Sequence, residues 1–194
     1  MQRVIDRLAR VCAQLGGGVL SALIVLTCLS VAGRSLNGIL HADWTQAVLP
    51  GVATMLLELG IGPINGDFEL VEAGMAFAIF AFLPLCQLNG AHASVDIFTS
   101  ALPPRGNRAL RMVVEVVFAA VLILIAWQLL AGMQSKRNSG QTTFLLEFPV
   151  WWAYAVSLVP AVVAALVAVY VAGIRIVETM TGQTVLLPGQ GADH

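Results

Sequence analysis

The sequence predicts an all-α integral membrane protein with four transmembrane helices, and three observations support this prediction. Of the 194 residues, 58% are hydrophobic and only 11% are charged, with a mean hydropathy of +0.86, whereas an ordinary globular domain has about 25% charged residues. Four uncharged stretches reach the roughly 20 residues that a helix needs to cross a bilayer. Alternating strands of about ten residues, the pattern of a membrane barrel, are absent.

The predicted spans follow one another as a single membrane domain over residues 1–194, at about 11–33, 69–91, 110–135 and 148–174. The first span resembles a signal peptide because arginines precede it. Its apolar run is longer than a signal-peptide core and three further spans follow, so we interpret it as an uncleaved helix. Pro149 suits the first turn of the fourth span, while Pro84 and Pro160 lie inside spans and are expected to bend them.

Two short interfacial helices are also predicted. Val4, Ile5 and Leu8 recur at helical spacing near the N-terminus, and this segment is expected to lie along the cytoplasmic interface before the chain turns inward. The segment at about 44–58 is apolar but too short to cross, and it contains Pro50 and Gly51. We expect it to lie at the outer surface of the membrane.

The distribution of lysine and arginine predicts the orientation, because cytoplasmic loops carry an excess of them. Seven lie on one side of the predicted spans, namely Arg3, Arg7, Arg10, Arg105, Arg108, Arg111 and Arg175. Three lie on the other side, namely Arg34, Lys136 and Arg137. Both termini are therefore predicted to be cytoplasmic. Trp151, Trp152 and Tyr154 at the outer start of the fourth span agree with an interfacial aromatic belt.

Small residues form a stripe on the fourth span, where Ala164, Ala168 and Ala172 recur every four residues beside Ala161 and Ala165. Such a face lets another helix approach closely. Packing within the chain is the simpler interpretation, and contact with a partner subunit is the alternative.

Glu69 and Glu72 are candidate contact residues because they share one face in the first turn of the second span. Acidic groups are favoured near a helix N-terminus. Their carboxylates are expected to pair with a cation, to be solvated, or to contact an ion or substrate. Arg34, at the outer end of the first span, is the nearest cation by depth.

No catalytic, metal or cofactor site is predicted. His92 and Asp96 lie four residues apart at the cytoplasmic edge, but a metal site needs three or four ligands. The three cysteines, Cys12, Cys28 and Cys86, form no CxxC spacing and fall in apolar runs. A net charge of −1 gives no indication of nucleic-acid binding. No ionisable residue lies at the centre of a predicted span, which favours a supporting subunit over a self-sufficient transporter.

Residues 66–104 carry a family resemblance. They read GDFELVEAGMAFAIFAFLPLCQLNGAHASVDIFTSALPP, which resembles the core of the small membrane subunit of tripartite ATP-independent periplasmic (TRAP) transporters, the DctQ family. That family has an acidic helix start, an apolar span, a G-x-H-x-x-V-D segment and then Leu-Pro. The corresponding positions are Glu69 and Glu72, then Gly90, His92, Val95 and Asp96, then Leu102 and Pro103. The Gly33-Arg34 and Phe148-Pro149-Val150-Trp151 segments also fit.

The resemblance implies one part of a three-part secondary transporter in the bacterial inner membrane. A large transmembrane subunit of the DctM type would carry an organic acid across together with sodium, and an extracytoplasmic binding protein would deliver that acid. The small subunit would be part of the fixed scaffold. Arg34, Glu69, Glu72, His92, Asp96 and Trp151 would then be structural or subunit contacts without a role in handling substrate. No cofactor is implied.

Two other classes of protein compete with this interpretation. A membrane redox subunit that binds quinone or haem would need facing intramembrane histidines or a CxxC motif. A homo-oligomeric channel would need a polar stripe along one helix face. The sequence shows none of these patterns.

The predicted orientation has a direct test in cysteine accessibility. With the native cysteines replaced, a cysteine at position 140 should react with a membrane-impermeant maleimide added outside, and one at position 100 should not, because the lysine and arginine bias places them on opposite sides. The reverse labelling pattern would show that the orientation is wrong.

Overall fold

Six helices make up the described part of the chain. The computed structural model describes residues 2–48, 50–58, 60, 62–89 and 104–181. In chain order the helices are α1 (Gln2–Leu40), α2 (Asp43–Val48), α3 (Pro50–Glu58), α4 (Asp67–Asn89), α5 (Pro104–Ser139) and α6 (Trp151–Thr181). By length and composition four of them, α1, α4, α5 and α6, are able to cross a membrane. The prediction of an all-α protein with four spans is confirmed.

The first helix is longer than its predicted span. α1 has 39 residues, which is about 58 Å at 1.5 Å per residue and almost twice the thickness of the hydrocarbon layer. The N-terminal segment, expected to be separate, is helical but continuous with α1. No proline or glycine interrupts residues 2–15, and the Arg10–Asp6 ion pair at 3.0 Å joins successive turns there.

The other spans also differ from their predicted limits at the ends. α5 extends the predicted 110–135 in both directions to Pro104–Ser139, and α6 continues past residue 174 to Thr181. Hydropathy marks only the part of a helix that lipid surrounds, while the backbone hydrogen bonds continue into the polar flanks. Pro84 and Pro160 are buried, and neither ends its helix.

The interfacial segment predicted at 44–58 corresponds to α2 and α3, with Pro50 as the first residue of α3. This is the position where the missing N–H of proline has no helical partner to lose. The start of α2 is attached to the end of α1, because the Thr45 side chain donates a hydrogen bond to the Ile39 carbonyl oxygen at 2.7 Å. The prediction of a short helical segment here is confirmed.

The four long helices lie in a row in the order α1, α4, α6, α5. α4 packs against α1 on one side and α6 on the other, and α5 packs against α6. The arrangement is a layer one helix thick, with α1 and α5 at its edges. We call the end that carries residues 30–69 and 136–152 the loop end, and the end that carries Gln87, Glu115 and Glu178 the terminal end.

The centre of the layer is built from small side chains. Ala164, Ala165, Ala168 and Ala172 of α6 form a buried cluster with Ala119 and Leu122 of α5, and Ala161 is also buried. Short side chains allow the two backbones to approach closely, which maximises van der Waals contact in a lipid environment. The small-residue stripe therefore packs within the chain, as the simpler interpretation predicted.

Glycine permits the equivalent close approach between α1 and α4. A Cβ atom added at Gly16 would lie 2.8 Å from the Cβ of Ala81, well inside van der Waals contact. Ala81 is itself completely buried. A larger residue at position 16 would force the two helices apart.

A pair of neighbouring alanines tests the α5–α6 contact. Ala119 is buried in the cluster and Ala120 is exposed. We expect Ala119→Leu to destabilise the folded protein by about 1–3 kcal/mol through overpacking, while Ala120→Leu leaves its stability unchanged. The measurement is thermal unfolding of the purified chain in one detergent. Equal effects of the two substitutions would contradict the packing described here.

Candidate functional site

The first junction at the loop end joins α1 to the start of α4. The Ser30 hydroxyl donates a short hydrogen bond to a carboxylate oxygen of Asp67, and the Arg34 guanidinium lies 3.6 Å from the same oxygen. Ser30 and Arg34 are one helical turn apart, so both side chains project from one face of α1. Asp67 also accepts a hydrogen bond from the Phe68 N–H at 2.7 Å. One carboxylate therefore binds the end of one span to the beginning of the next.

This geometry corrects the expected partner of Arg34. Glu69 and Glu72 were the candidates, but the arginine pairs with Asp67, the first residue of α4. The side chain of Arg34 is 66% exposed, as expected for a cation at the rim of the layer, where Asp67 is closer than either glutamate. Asp67 was missing from the predicted contact residues, although Gly-Asp before an apolar run is a typical helix start.

The second junction joins α4 to the loop between α5 and α6. The two carboxylate oxygens of Glu69 accept hydrogen bonds from the backbone N–H groups of Leu145 and Leu146, at 2.7 and 3.0 Å. Hydrogen bonds to an ionised acceptor are stronger than those between neutral groups. Glu69 therefore makes a structural contact within its own chain, 76 and 77 residues distant in sequence.

The loop that Glu69 binds is a narrow hairpin, which we call the 141–150 hairpin. Its two sides are joined by hydrogen bonds from the Thr143 N–H to the Phe148 oxygen at 2.9 Å and from the Val150 N–H to the Gln141 oxygen at 3.0 Å. At its tip Phe144 is 92% exposed. The hairpin thus presents an apolar tip at the loop end.

Leu146 of this hairpin is seated against Gly66. The φ angle of Gly66 is +80°, and any Cβ atom there would overlap the Leu146 side chain. A glycine is therefore required for two reasons, its backbone conformation and the space that Leu146 occupies. Gly66 and Glu69 together fix the hairpin on the start of α4.

Trp151, another predicted contact residue, also has partners within the chain. The Arg137 guanidinium carbon lies 5.7 Å from the centre of the Trp151 ring, which is cation–π geometry. Trp152 packs edge-on against Trp151 with ring centroids 6.2 Å apart. The Arg137–Trp151 contact ties the end of α5 to the start of α6. The other two predicted contact residues, His92 and Asp96, lie outside the described residues.

Glu72 lies apart from these junctions and lines a cavity of about 780 Å³ between α4, α5, α6 and the 141–150 hairpin. Lys136 and Ser157 line the same cavity, with Ala76 and Leu129 among its apolar walls. The Ser157 side chain is 1% exposed, and its hydroxyl has no hydrogen-bond partner among the described residues. This cavity has no signal in the sequence, because its walls come from three helices distant in sequence.

Two polar contacts at the terminal end were also not predicted. Gln87, only 1% exposed, donates a short hydrogen bond from α4 to the Glu115 carboxylate of α5. In α6, Arg175 and the buried Glu178 form an ion pair at 2.8 Å. Isolated polar residues in apolar helices are a signal for such contacts, because a buried polar group needs a partner.

Histidine, cysteine and acidic side chains do not gather in threes anywhere in the part of the chain that the structure describes. The one described histidine is His41, at the end of α1, where its ring nitrogen lies 2.9 Å from the Asn37 oxygen. The described side chains also show no paired intramembrane histidines of the kind that a haem protein would need.

The fold and the contacts at its ends define a polytopic helical membrane protein whose polar side chains mostly bind its own helices together. A family model described as "Tripartite ATP-independent periplasmic transporters, DctQ component" matches residues 23–180. Because the match covers most of the 194 residues, the chain belongs to this family of transporter components. Comparison with curated proteins and with solved structures gave no match.

The role of Glu69 is testable by hydrogen exchange. In Glu69→Gln one of the two acceptor oxygens becomes an amide nitrogen, so one of the amides of Leu145 and Leu146 loses its partner. We expect the amides of the hairpin tip to exchange about tenfold faster, since local opening becomes easier. Glu147→Gln, in the same hairpin, is the matched control. Unchanged exchange in Glu69→Gln would show that the carboxylate does not hold the hairpin.

Proposed function

We propose that this chain is the small permease subunit of a TRAP-type secondary transporter. It pairs with the large transmembrane subunit as a fixed scaffold, and the assembled pair takes up an organic acid, coupled to sodium, that an extracytoplasmic binding protein delivers. The observation that carries the proposal is the family match over residues 23–180. Three parts of the proposal go beyond that match and rest on the family resemblance: the substrate class, the sodium coupling and the pairing with a large subunit.

The distribution of ionisable groups supports a scaffold role. A protein that moves ions or substrates by itself needs polar groups or broken helices near the middle of the membrane. Here the carboxylates of Asp67 and Glu69 bind the chain's own groups at the loop end, and Glu115 does so nearer the terminal end. These contacts stabilise the helices relative to one another.

The shape of the layer supports pairing with a second membrane subunit. Because α1 and α5 lie at its edges, each has a long helix packed on one side only, and large apolar side chains make up much of their remaining surface. Large exposed hydrophobic residues are spread over both helices, including Ile24, Val25 and Leu29 of α1 and Val117, Val121 and Leu124 of α5. Such surface requires lipid or another helix against it.

The proposed location is the bacterial inner membrane with both termini in the cytoplasm. The loop end then faces the compartment in which an extracytoplasmic binding protein works, with the exposed Phe144 tip on that side. The role of His92 and Asp96 as contacts at the cytoplasmic end stays a prediction.

Reconstitution tests the proposal. This chain, a large subunit of the DctM type, and both together are placed in proteoliposomes with a binding protein and its organic acid. We expect sodium-dependent uptake from the pair only, and co-purification of the two membrane chains through a tag on either one. Sodium-dependent uptake by this chain alone, or failure of the two chains to co-purify from mild detergent, would contradict the assignment.

A further inference from the structure

The cavity lined by Glu72, Lys136 and Ser157 has the organisation of an amphiphile site. Its volume of about 780 Å³ falls in the range of roughly 300–1,000 Å³ that small-molecule sites occupy. It lies between α4, α5 and α6, on the loop-end side of the Gln87–Glu115 contact that joins α4 to α5. The 141–150 hairpin closes it at the loop end.

Three polar side chains of the cavity, one from each of its three helices, lie near the loop end. At 1.5 Å per residue, Lys136 lies about 5 Å before the end of α5, Glu72 about 8 Å into α4 and Ser157 about 9 Å into α6. All three therefore lie within about two helical turns of the loop-end termini of their helices. Glu69 and Thr143 also line the cavity, and both carboxylate oxygens of Glu69 already accept hydrogen bonds from the hairpin. Apolar side chains such as Ala76 and Leu129 make up most of the remaining wall.

The buried hydroxyl of Ser157 indicates that the cavity has an occupant. It is 1% exposed and lacks a hydrogen-bond partner among the described residues, although buried polar atoms almost always have one. Lys136 also retains bonding capacity. One of its three N–H donors is directed to the Gln141 side chain at 2.6 Å, which leaves two for a ligand.

We propose that this cavity binds a phospholipid with a primary ammonium headgroup, of the phosphatidylethanolamine class. The Lys136 ammonium donates to the lipid phosphate, the Glu72 carboxylate accepts from the lipid ammonium, and the Ser157 hydroxyl donates to an ester carbonyl. The acyl chain lies along Ala76 and Leu129. The lipid therefore offers a group of matching chemistry to each of the three side chains, and hydrocarbon to the apolar walls.

The bilayer is the source of this ligand, and a transmembrane segment of a partner is the competing occupant. The backbone groups of a partner helix would already be hydrogen-bonded within that helix, and its surface would be apolar. The Lys136, Glu72 and Ser157 side chains would then have no matching groups. The lipid supplies all three. The site does not depend on the proposed transport function, since it is built entirely from described residues of this chain.

The first test uses the unmodified full chain. It is titrated in detergent with palmitoyl-oleoyl lipids carrying ethanolamine, choline or glycerol headgroups, and binding is read by native mass spectrometry. We expect the ethanolamine lipid to bind about tenfold more tightly than the other two, because only its headgroup offers Glu72 a positively charged N–H donor. Choline has no N–H, and the hydroxyls of glycerol are neutral donors. Equal affinity for all three lipids would overturn the proposal, and no variant has to fold for this result.

Two variants separate the roles of the charged groups. Glu72→Gln should remove the preference for ethanolamine, while Lys136→Gln should weaken the binding of all three lipids by about tenfold and preserve the preference. Glu147→Gln, an exposed acid outside the cavity, is the control and should behave as the unmodified chain. A preference for ethanolamine that survives in Glu72→Gln would contradict the assignment of Glu72.

A further pair of substitutions tests the site of the acyl chain. Ala76→Leu fills the cavity and should abolish tight binding of the ethanolamine lipid, whereas Ala131→Leu, on the exposed face of α5, should not affect it. Glycerophosphoethanolamine, the headgroup without chains, is expected to compete poorly. Competition as strong as that of the whole lipid would show that the site takes a soluble zwitterion instead.

The assembled transporter distinguishes lipid from partner. Mass spectrometry of the complex of this chain with the large subunit should still find one ethanolamine lipid that depends on Glu72 and Lys136. Loss of that lipid on assembly would mean that the partner occupies the cavity, and the proposal would be wrong.

Discussion

The close contact of α6 with its neighbours is the constraint on which the rest of the structure depends. Half of the most apolar window of α6 is buried, against 11–17% for the other three spans, so α6 is the most enclosed of the four, although α4 also has a neighbour on each side. Alanines on its face permit that approach, because lipid offers no hydrophobic driving force and helices associate through packing at short range. α4 and α5 are placed by α6, and α1 is placed in turn by α4.

Polar contacts then set the rotation and depth of each helix. Helices that pack through small residues alone could slide past one another by a turn. A hydrogen bond between two particular side chains fixes one register of the helices. Asp67 sets α4 against α1, Glu69 sets the hairpin against α4, and the Gln87 contact sets α4 against α5. The charged groups at the rims of the layer thus contribute mainly specificity of arrangement, in agreement with a protein that has few charges in total.

The sequence predicted the elements well because lipid imposes a simple rule on them. Spans of about 20 apolar residues must be helices, and all four were located, as was the short segment that became α2 and α3. The helices extend beyond the predicted spans, as at Gln2 and Thr181, since a helix can continue beyond the hydrocarbon layer. The partners of individual polar side chains were the least predictable. Arg34 meets Asp67 instead of a glutamate, because one helical turn of difference in depth decides which carboxylate is nearest, and hydropathy does not resolve one turn.

The row of helices has a mechanical consequence. A wall one helix thick has more boundary with its surroundings, residue for residue, than a closed bundle of the same four spans. Moving such a wall through a bilayer displaces more lipid, so viscous drag on it is high for its mass. A component of this shape moves less readily than a closed bundle of the same mass. α1, at about 58 Å, is long enough to extend that resistance beyond the hydrocarbon into the headgroup layers.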